Sequence, residues 1–449
     1  CCFRANSKLL PSKENKKMTE IFSIYSQLLV FLIIFQFPFN SKILNTFQNI
    51  KFNYFEIISF NIIFHFIFYL IISFFLFDLK IYFLFELSLG LVFLIYNLKN
   101  INFKKIFNDN LFIIIFFLIL NFILFTNIAT NLRLEWDGLD HWIYKAQIYF
   151  QGGTFGDIKN VEFSYYPQLG SFIWGYFWKN SILEIEYFGR LIFPFIFLVG
   201  IFLSTSKFEG KNQFVKSFLI PILLITLCLD HYLFGGYQDY LLFFLLLTFS
   251  KVFYQFRKSK SKFLFIVLIL NTILILWTKQ EGFFYNIILT IVFIFFSNSN
   301  HKNKFIFVSL VGLSLLSQIV LKNYFIGSFN FNEDIIHNEL LRYLNILELL
   351  STFFLITKHI LISMARYPIW ILIIVVMIYI YFKNKKNLLN YSFFYFLIFM
   401  AFVYAIYFQT KMDLEYLLPI TVDRILLQGS GFLLYPTVIH LERIISSKK

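Results

Sequence analysis

Residues 111–125 read LFIIIFFLILNFILF, and this stretch decides the class of fold. Only Asn121 interrupts its apolar side chains, and the apolar run continues to residue 129. A helix that crosses a bilayer needs about 20 such residues. A strand of a membrane β-barrel would instead alternate apolar and polar residues over about 10 positions. The stretch therefore predicts a transmembrane α-helix and argues against a barrel.

The composition of the whole chain indicates many such helices. Of the 449 residues, 59% are hydrophobic, 14% are charged and 67 are Phe, and the mean hydropathy is +0.72. A soluble protein of this size needs a charged outer shell, whereas helices solvated by lipid do not. Because hydrocarbon offers no water to the backbone, every spanning run must be helical. We therefore predict an all-α polytopic transmembrane protein with the lipid bilayer as a partner.

The net charge of +14 is explained by membrane topology rather than by a nucleic-acid partner. Lys and Arg gather in short connections between apolar runs, as at 257–262, which is typical of cytoplasmic loops. No basic stripe with interleaved aromatic residues lies outside those runs, so we expect no nucleic acid. The three cysteines, at 1, 2 and 228, give neither a disulfide framework nor a zinc pattern.

Counting the apolar runs predicts about 13 spans. They lie near 21–39, 54–77, 80–98, 111–129, 186–205, 213–229, 238–256, 262–278, 282–298, 303–322, 367–383, 390–409 and 423–440. Residues 1–17 precede Met18, and we expect them to be an upstream or disordered segment. Residues 18–449 are expected to form a single transmembrane domain, since no internal repeat or flexible linker is visible.

The positions of the basic residues predict the orientation of the bundle. Under this count, the Lys-rich connections after residues 98, 205, 256, 298 and 383 all fall on one side, which should be cytoplasmic. The opposite side receives two long external loops, 130–187 and 323–366, in which we expect interfacial helices. Functional chemistry is expected on that non-cytoplasmic side.

The densest group of polar residues opens the first long loop and reads EWDGLDHWIYK over 135–145. Asp137, Asp140, His141 and Lys145 stand at spacings of three and four, which would place them on one helix face. The two tryptophans of the group would sit at the membrane interface. An ordinary juxtamembrane helix with aromatic anchors has the same spacing, so both interpretations stay open.

Two further groups carry polar residues at turns. The segment 163–170 reads FSYYPQLG and predicts a turn, at Tyr166-Pro167, followed by a short amphipathic helix. The segment 235–239 reads GGYQD and places Asp239 at the start of a predicted span. Compensation of the helix dipole would also explain an acid at that position.

The last two groups combine acids with cations near the predicted membrane boundary. Lys279 and Glu281 lie in TKQEG, a break between two apolar runs so short that it must be a tight turn. They could pair with each other, but charge at this depth is costly, which favours a ligand role. Asp423-Arg424 begins the last predicted span. Arginine suits bidentate capture of a phosphate or carboxylate, with an internal ion pair as the alternative.

One acidic group has a spacing that metal sites also use. Glu333, Asp334, His337 and Glu339 lie in the second long loop. One solvated helix face explains them without a metal, so we predict no metal site. The sequence requires no cofactor, although a divalent metal is not excluded.

Taken in order, these groups resemble the bacterial multi-pass membrane glycosyltransferases of the GT-C superfamily, relatives of the protein O-mannosyltransferases and aminoarabinose transferases. The resemblance spans about residues 130–430 and rests on five motifs. They are Trp136-Asp137 with Lys145-Ala146, Tyr166-Pro167, GYQD at 236–239, TKQEG at 278–282 and DRIL at 423–426. The chain departs from the pattern where members have His-Pro-Asp, because it has Phe163-Ser164-Tyr165 there.

The resemblance implies an inverting glycosyltransferase that moves a sugar from a polyprenyl-phosphate donor to an acceptor lipid, glycan or protein. It implies location in the bacterial cytoplasmic membrane with the active face outside. Asp137 would be the general base, with Glu135 and Asp140 as alternatives. Lys145, Lys279 and Arg424 would stabilise the leaving phosphate. The other candidate site residues are His141, Tyr166, Asp239, Glu281 and Asp423.

Two other classes of function fit parts of the pattern. A transporter or lipid flippase would also place acids and bases within a helical bundle. The marked residues lie at one face rather than the midplane, and inverted halves with broken helices are not visible. A polysaccharide polymerase or ligase that uses polyprenyl-linked sugars would carry more arginines in its late external loop, where this chain offers Arg342 and Arg366.

Overall fold

The helical bundle is described by a computed structural model over residues 13–47, 52–99, 111–205, 213–227, 235–327, 346–383, 390–410 and 413–447. These residues form α-helices and no β-strand, as the apolar runs predicted. The helices are α1 Lys13–Ile34, α2 Ser41–Phe47, α3 Tyr54–Ile72, α4 Leu79–Lys99, α5 Leu111–Thr130, α6 Ile143–Phe150, α7 Leu169–Lys179, α8 Glu186–Arg190, α9 Ile192–Ser204, α10 Gln213–Leu227, α11 Asp239–Ser259, α12 Lys262–Thr278, α13 Glu281–Phe296, α14 His301–Ile326, α15 Ile346–Arg366, α16 Ile369–Lys383, α17 Asn390–Gln409 and α18 Leu414–Ser447.

Nine stretches within the described residues are long and apolar enough to cross a bilayer. They are Tyr54–Ile72, Leu79–Lys99, Ile113–Thr130, Glu186–Ser204, Asp239–Ser259, His301–Ile326, Leu347–Arg366, Asn390–Gln409 and Leu414–Arg443. Four shorter apolar helices accompany them, at Ile21–Ile34, Lys262–Thr278, Glu281–Phe296 and Ile369–Phe382. The chain is therefore a multi-pass integral membrane protein. Within the described residues, nine long spans and four shorter apolar helices stand against the 13 or so spans that the sequence predicted.

Burial separates the centre of the bundle from its lipid-facing rim. The spans in α11 and in α8 with α9 are buried over all of their apolar window, and α18 packs against α11. In contrast, the window of α4 is 11% buried and that of α14 is 22% buried. The central helices α11 and α18 carry Asp239 and Arg424, respectively, two charged residues of the candidate site. The peripheral helices present their apolar side chains outward.

The second external loop differs from its prediction. Residues 346–366, placed in the loop 323–366, form α15, which satisfies the length and composition of a span. However, Lys358 is exposed near the middle of α15, where a spanning helix would meet lipid. An exposed lysine near the middle of a helix is typical of an interfacial helix, which is the kind that the sequence predicted for this loop.

Polar contacts join α15 to two of its neighbours. Its Arg366 pairs with Asp423 of α18, and its Thr357 Oγ1 is 2.8 Å from the hydroxyl of Tyr404 on α17. The helix is therefore joined to α17 and α18 by polar contacts, and it packs against both of them.

The start of the last span also differs. The sequence predicted that Asp423-Arg424 begin a span at 423, but α18 begins at Leu414. Both residues therefore lie more than two helical turns inside α18, facing the packed interior, where each is less than a tenth exposed. A continuous helical backbone holds them, rather than a helix end.

A buried ion pair and a buried carboxylate cluster hold other helices together. Lys251 of α11 lies 2.7 Å from the Oε1 atom of Glu56 at the start of α3. Glu86 of α4 accepts hydrogen bonds from Tyr69 at 2.9 Å and Tyr176 at 2.6 Å, and it lies 2.5 Å from Nδ1 of His65. Because α4 is otherwise mostly exposed, this carboxylate is its principal polar attachment to the bundle.

Candidate active site

The first external loop docks directly on the turn that precedes α11. The backbone N–H of Glu135 donates to the carbonyl oxygen of Gly235 at 3.0 Å. Gly138 packs so closely there that a Cβ would lie 2.2 Å from the same oxygen. Only glycine fits at that position, and the contact fixes Asp137, one residue earlier, against the end of the bundle.

The turn itself is shaped by Gly236. Its φ of +103° lies in the left-handed region, which glycine adopts without strain. A Cβ there would also meet the Trp174 ring at 2.9 Å. Tyr237 and Gln238 follow Gly236, and Asp239 is the first residue of α11. The GYQD motif is therefore the structural element that places an acid at the start of a fully buried span.

Asp239 is the fixed centre of the site. It is fully buried, and its Oδ1 accepts from Lys279 Nζ at 3.0 Å and from the amide of Gln428. Its Oδ2 accepts from Arg424 Nε at 3.2 Å. Three donors on two other parts of the chain thus hold one carboxylate. The sequence could not distinguish this role from dipole compensation.

Arg424 bridges the bundle and the first external loop. While its Nε binds Asp239, its Nη2 donates to Oδ2 of Asp137, a residue 287 positions away in the sequence. The guanidinium carbon also lies 4.1 Å from the centre of the Tyr237 ring, where a cation is attracted by the aromatic face. Burial raises the pKa of Tyr237 to about 12, so this ring is neutral. The arginine is desolvated and paired, and no bound anion is needed to hold it.

Lys279 and Glu281 lie where the sequence expected a tight turn. Helix α12 ends at Thr278 and α13 begins at Glu281, so Lys279 and Gln280 alone connect them. Lys279 Nζ lies 3.3 Å from Oε1 of Glu281 in addition to its bond with Asp239. The Lys279–Glu281 pair considered from the sequence is therefore present, and Lys279 binds two carboxylates, those of Asp239 and Glu281.

No protein-family model, curated protein or solved structure matches the chain. The function of this network has to be inferred from its own chemistry. It joins four residues that the sequence marked separately, Asp137, Asp239, Lys279 and Arg424, into one buried set at one end of the bundle. The first loop supplies Asp137, and three elements of the bundle supply the other three residues.

His141 shares the buried face of the first loop with Asp137. Its Nδ1 atom is buried without a hydrogen-bond partner in the described part of the chain. The ring stacks on Tyr166 with 5.0 Å between ring centres and meets Phe163 edge-on at 4.0 Å. Burial lowers its pKa to about 4, and the nearby Asp137 only partly opposes that shift. His141 is therefore neutral at physiological pH and can accept a hydrogen bond or a proton.

Lys145 is turned away from the ion network. Its Nζ donates to the carbonyl oxygen of Phe163 at 2.6 Å and to that of Tyr166 at 3.2 Å. The ammonium also lies 5.6 Å from the Tyr166 ring centre. Burial, followed by the charge of Lys322, lowers the pKa of Lys145 well below its usual range. Lys145 thus fastens the Tyr-Pro turn to the first loop.

The remaining acids are less engaged with the network. Glu135 lies 3.4 Å from Arg133, and its side chain is about a quarter exposed. Asp140 is half-buried, off the face that Asp137 and His141 share. Residues 138–142 form a π-helical turn, so the spacing of three that linked Asp137 to Asp140 does not place them on one face.

Asp423, which precedes Arg424 in the sequence, has an ion pair of its own. Its carboxylate pairs with Arg366 at the end of α15, whereas Arg424 pairs with Asp137. The predicted alternative for this motif, an internal ion pair, is therefore present for both of its residues. No group of three or more potential metal-ligating residues occurs within the described ranges. Residues 333–339, which carried the metal-like spacing, lie outside them.

Three contributors were not identified from the sequence. Gln428 lay outside every motif, Tyr237 stood within GYQD without a role of its own, and Arg366 was noted only as an arginine of the late loop. Gln428 had one usable signal, because it follows Arg424 by four positions and so shares its helix face. Arg366 could be placed only once α15 was seen to pack against α18.

Proposed function

We propose that the chain is an inverting glycosyltransferase that uses a polyprenyl-phosphate sugar as donor. The observation that supports it is the pairing of Asp137, on a loop outside the spans, with Arg424, inside a span. An acid at the surface of the membrane can reach a polar acceptor, while a cation beneath it can reach the phosphate of a lipid carrier. This is the arrangement that transfer between a lipid and a polar acceptor requires.

The proposed reaction is a single displacement. The acceptor oxygen forms a bond to the anomeric carbon as the bond from that carbon to the phosphate oxygen breaks, and the configuration inverts. Asp137 takes the proton of the acceptor hydroxyl. The electron pair leaves with the polyprenyl phosphate, whose charge Arg424 and Lys279 stabilise in a site with little water. Asp239 positions both cations.

Neutral His141 and the aromatic rings around it line the acceptor side of this proposal. Tyr166, Phe163 and Trp136 surround the histidine, with Trp136 5.0 Å away and 61% exposed. Exposed aromatic faces beside polar atoms suit the apolar faces of sugar rings. Lys145 contributes by holding the Tyr166 turn, and Glu281 and Asp423 contribute by orienting Lys279 and α15.

The test is a donor screen with purified protein in lipid nanodiscs. Several polyprenyl-phosphate sugars are supplied, and release of polyprenyl phosphate is measured with and without cell-envelope acceptors. We expect one donor to be turned over, and Asp137→Asn to reduce the rate by at least ~100-fold. Glu184→Gln is the matched control, since Glu184 pairs with Lys80 on the exposed surface. Full activity of Asp137→Asn would remove Asp137 as the base.

A transporter or flippase is the second candidate, and one observation favours it. Ionisable groups are buried at more than one depth, since the Glu56–Lys251 pair lies at the other end of α11 from Asp239. Such pairs are common along transport pathways. Flux of a lipid-linked sugar across proteoliposomes, without release of polyprenyl phosphate, would support transport instead.

A further inference from the structure

Arg424 binds two carboxylates that are held in very different ways. Asp239 is wholly buried and also receives Lys279 and Gln428. The side chain of Asp137 is 11% exposed, and within the described residues Arg424 is its hydrogen-bond partner. Removing Asp239 would leave several buried donors without an acceptor, whereas moving Asp137 frees a single guanidinium group. Asp137 is therefore the exchangeable partner.

The movement needed for exchange is small. The backbone around Asp137 is fixed by the contacts of Glu135 and Gly138 with Gly235. The exchange therefore asks for a change of the Asp137 side-chain rotamer, and rotamer changes occur without rearrangement of the backbone. Asp239 keeps Arg424 in place throughout, because its bond to Nε is independent of the Nη2 group.

We propose that the phosphate of the lipid-linked donor displaces Asp137 from Arg424, so that the base is released only when the donor is bound. This inference rests on the proposed function. While Asp137 is paired with Arg424, its Oδ2 is engaged and is poorly placed to accept a proton from the acceptor. The donor phosphate takes the vacated Nη2 position. The same event that loads the donor then makes the carboxylate available.

The number of positive charges that the exchange frees indicates how much negative charge the donor phosphate should carry. Only Arg424 gives up a counter-ion, since Lys279 stays with Asp239 and Glu281, and Lys145 is bonded to backbone carbonyls. One freed positive charge matches the single negative charge of a phosphodiester, as in a sugar joined to a lipid monophosphate. A lipid diphosphate brings additional negative charge that no further cation is released to meet. The site is therefore assigned to monophosphate carriers.

Binding measurements test the exchange without any need for the natural sugar. Farnesyl methyl phosphate, a lipid phosphodiester, is titrated into the protein in detergent. Asp137 competes with it for Arg424, so the apparent affinity equals the intrinsic affinity multiplied by the fraction of protein in which that pair is open. We expect Asp137→Asn to bind the probe about 5- to 50-fold more tightly than the wild type, although the variant cannot transfer sugar. We expect Arg424→Gln to lose binding.

Asp140→Asn is the matched charge control, because Asp140 is an acid of the same loop that does not contact Arg424. Its affinity for the probe should equal that of the wild type. An equal gain in Asp140→Asn would show simple charge repulsion and overturn the exchange, as would unchanged or weaker binding in Asp137→Asn. Thermal unfolding of each variant confirms that it is folded.

Three further probes separate the sources of affinity. Farnesyl diphosphate should bind more weakly than the phosphodiester, and stronger binding would overturn the assignment to monophosphate carriers. Inorganic phosphate and farnesol should bind at least ~10-fold more weakly than the joined molecule; equal binding of inorganic phosphate would overturn the role of the lipid. If the wild type and Asp137→Asn both fail to bind any isoprenyl phosphate, the proposed function itself fails.

Discussion

Lys279 Nζ lies 3.0 Å from Oδ1 of Asp239, and both side chains are almost completely buried. The pair also organises Arg424, because Asp239 is the carboxylate common to both cations. A buried charge that loses its partner is far more costly than an exposed one. The stability of the site end of the bundle should therefore depend on Asp239.

Replacing that acid gives the first prediction. Asp239→Asn leaves Lys279 and Arg424 facing a neutral amide and should lower the free energy of unfolding by about 3–5 kcal/mol. Thermal unfolding in detergent, followed through tryptophan fluorescence, measures the loss. Glu281→Gln is the control, since Lys279 keeps Asp239, and it should cost about 1 kcal/mol or less. Equal losses in the two variants would contradict the central role of Asp239.

Lys145 was predicted from the sequence to bind phosphate, whereas its contacts are with the backbone of the Tyr-Pro turn. Lys145→Met should therefore keep the affinity for farnesyl methyl phosphate within about 2-fold, while loosening the turn. Limited proteolysis with chymotrypsin, which cuts after aromatic residues such as Phe163 and Tyr166, should be faster in the variant. Loss of phosphate binding with an unchanged cleavage rate would restore the role predicted from the sequence.

His141 should make stability depend on pH. Its pKa is lowered from 6.5 to about 4 by burial, so the folded state favours the neutral ring. The unfolded chain binds the proton more readily, and the stabilisation is therefore complete above pH 6.5 and is lost as the pH falls towards 4. The melting temperature should drop across that window, and it should drop less in His141→Asn, which does not titrate. Parallel curves for the two proteins would contradict the assignment.

Glu86 should be the main attachment of α4. In Glu86→Ala, the hydroxyl groups of Tyr69 and Tyr176 and the ring of His65 lose their common acceptor. Unsatisfied buried donors cost about 1–3 kcal/mol each, so the variant should be at least ~2 kcal/mol less stable. Ser88→Ala, on the exposed face of the same helix, should be neutral. A neutral Glu86→Ala would mean that apolar contacts alone hold α4.

Cysteine labelling can test the orientation of α15 and the predicted outer face. Single cysteines at Leu139, Gln280 and Lys358 should react with a membrane-impermeant maleimide added outside intact cells. Gly138 is unsuitable for this purpose because it has no room for a side chain. A protected cysteine at Lys358 would indicate that α15 crosses the bilayer. Labelling of the other two only after permeabilisation would overturn the predicted topology.

The apolar runs were sufficient to predict the class of fold, because length and continuity alone specify a membrane helix. They did not predict which helix ends would meet. Asp137 and Arg424 were both selected, but their pairing depends on Gly138 fitting against Gly235, a packing detail with no signature in the sequence. The order of the motifs predicted which residues belong to the candidate site, but only the three-dimensional packing shows which of them pair with each other.

Three other buried charges also have a signature in the sequence. Glu56, Glu86 and Lys251 are single charges within otherwise apolar runs, and such residues are rarely placed there without a partner. That rule marks them individually, but it cannot match Glu56 with Lys251 rather than with another cation. His65 was not selected from the sequence either, because an isolated histidine in an apolar helix is also compatible with simple packing.

Arg424 stands on α18, the last helix in the described chain, whereas its partner Asp137 precedes it by 287 positions. A ribosome adds about 5–20 residues per second, so Asp137 waits roughly 15–60 s for its cation during synthesis. Throughout that interval the nascent protein has a membrane-inserted bundle and an incomplete charge network. The charge network is therefore complete only after Arg424 of α18 has been synthesised, and chains that stop before Arg424 would insert their earlier helices without completing it.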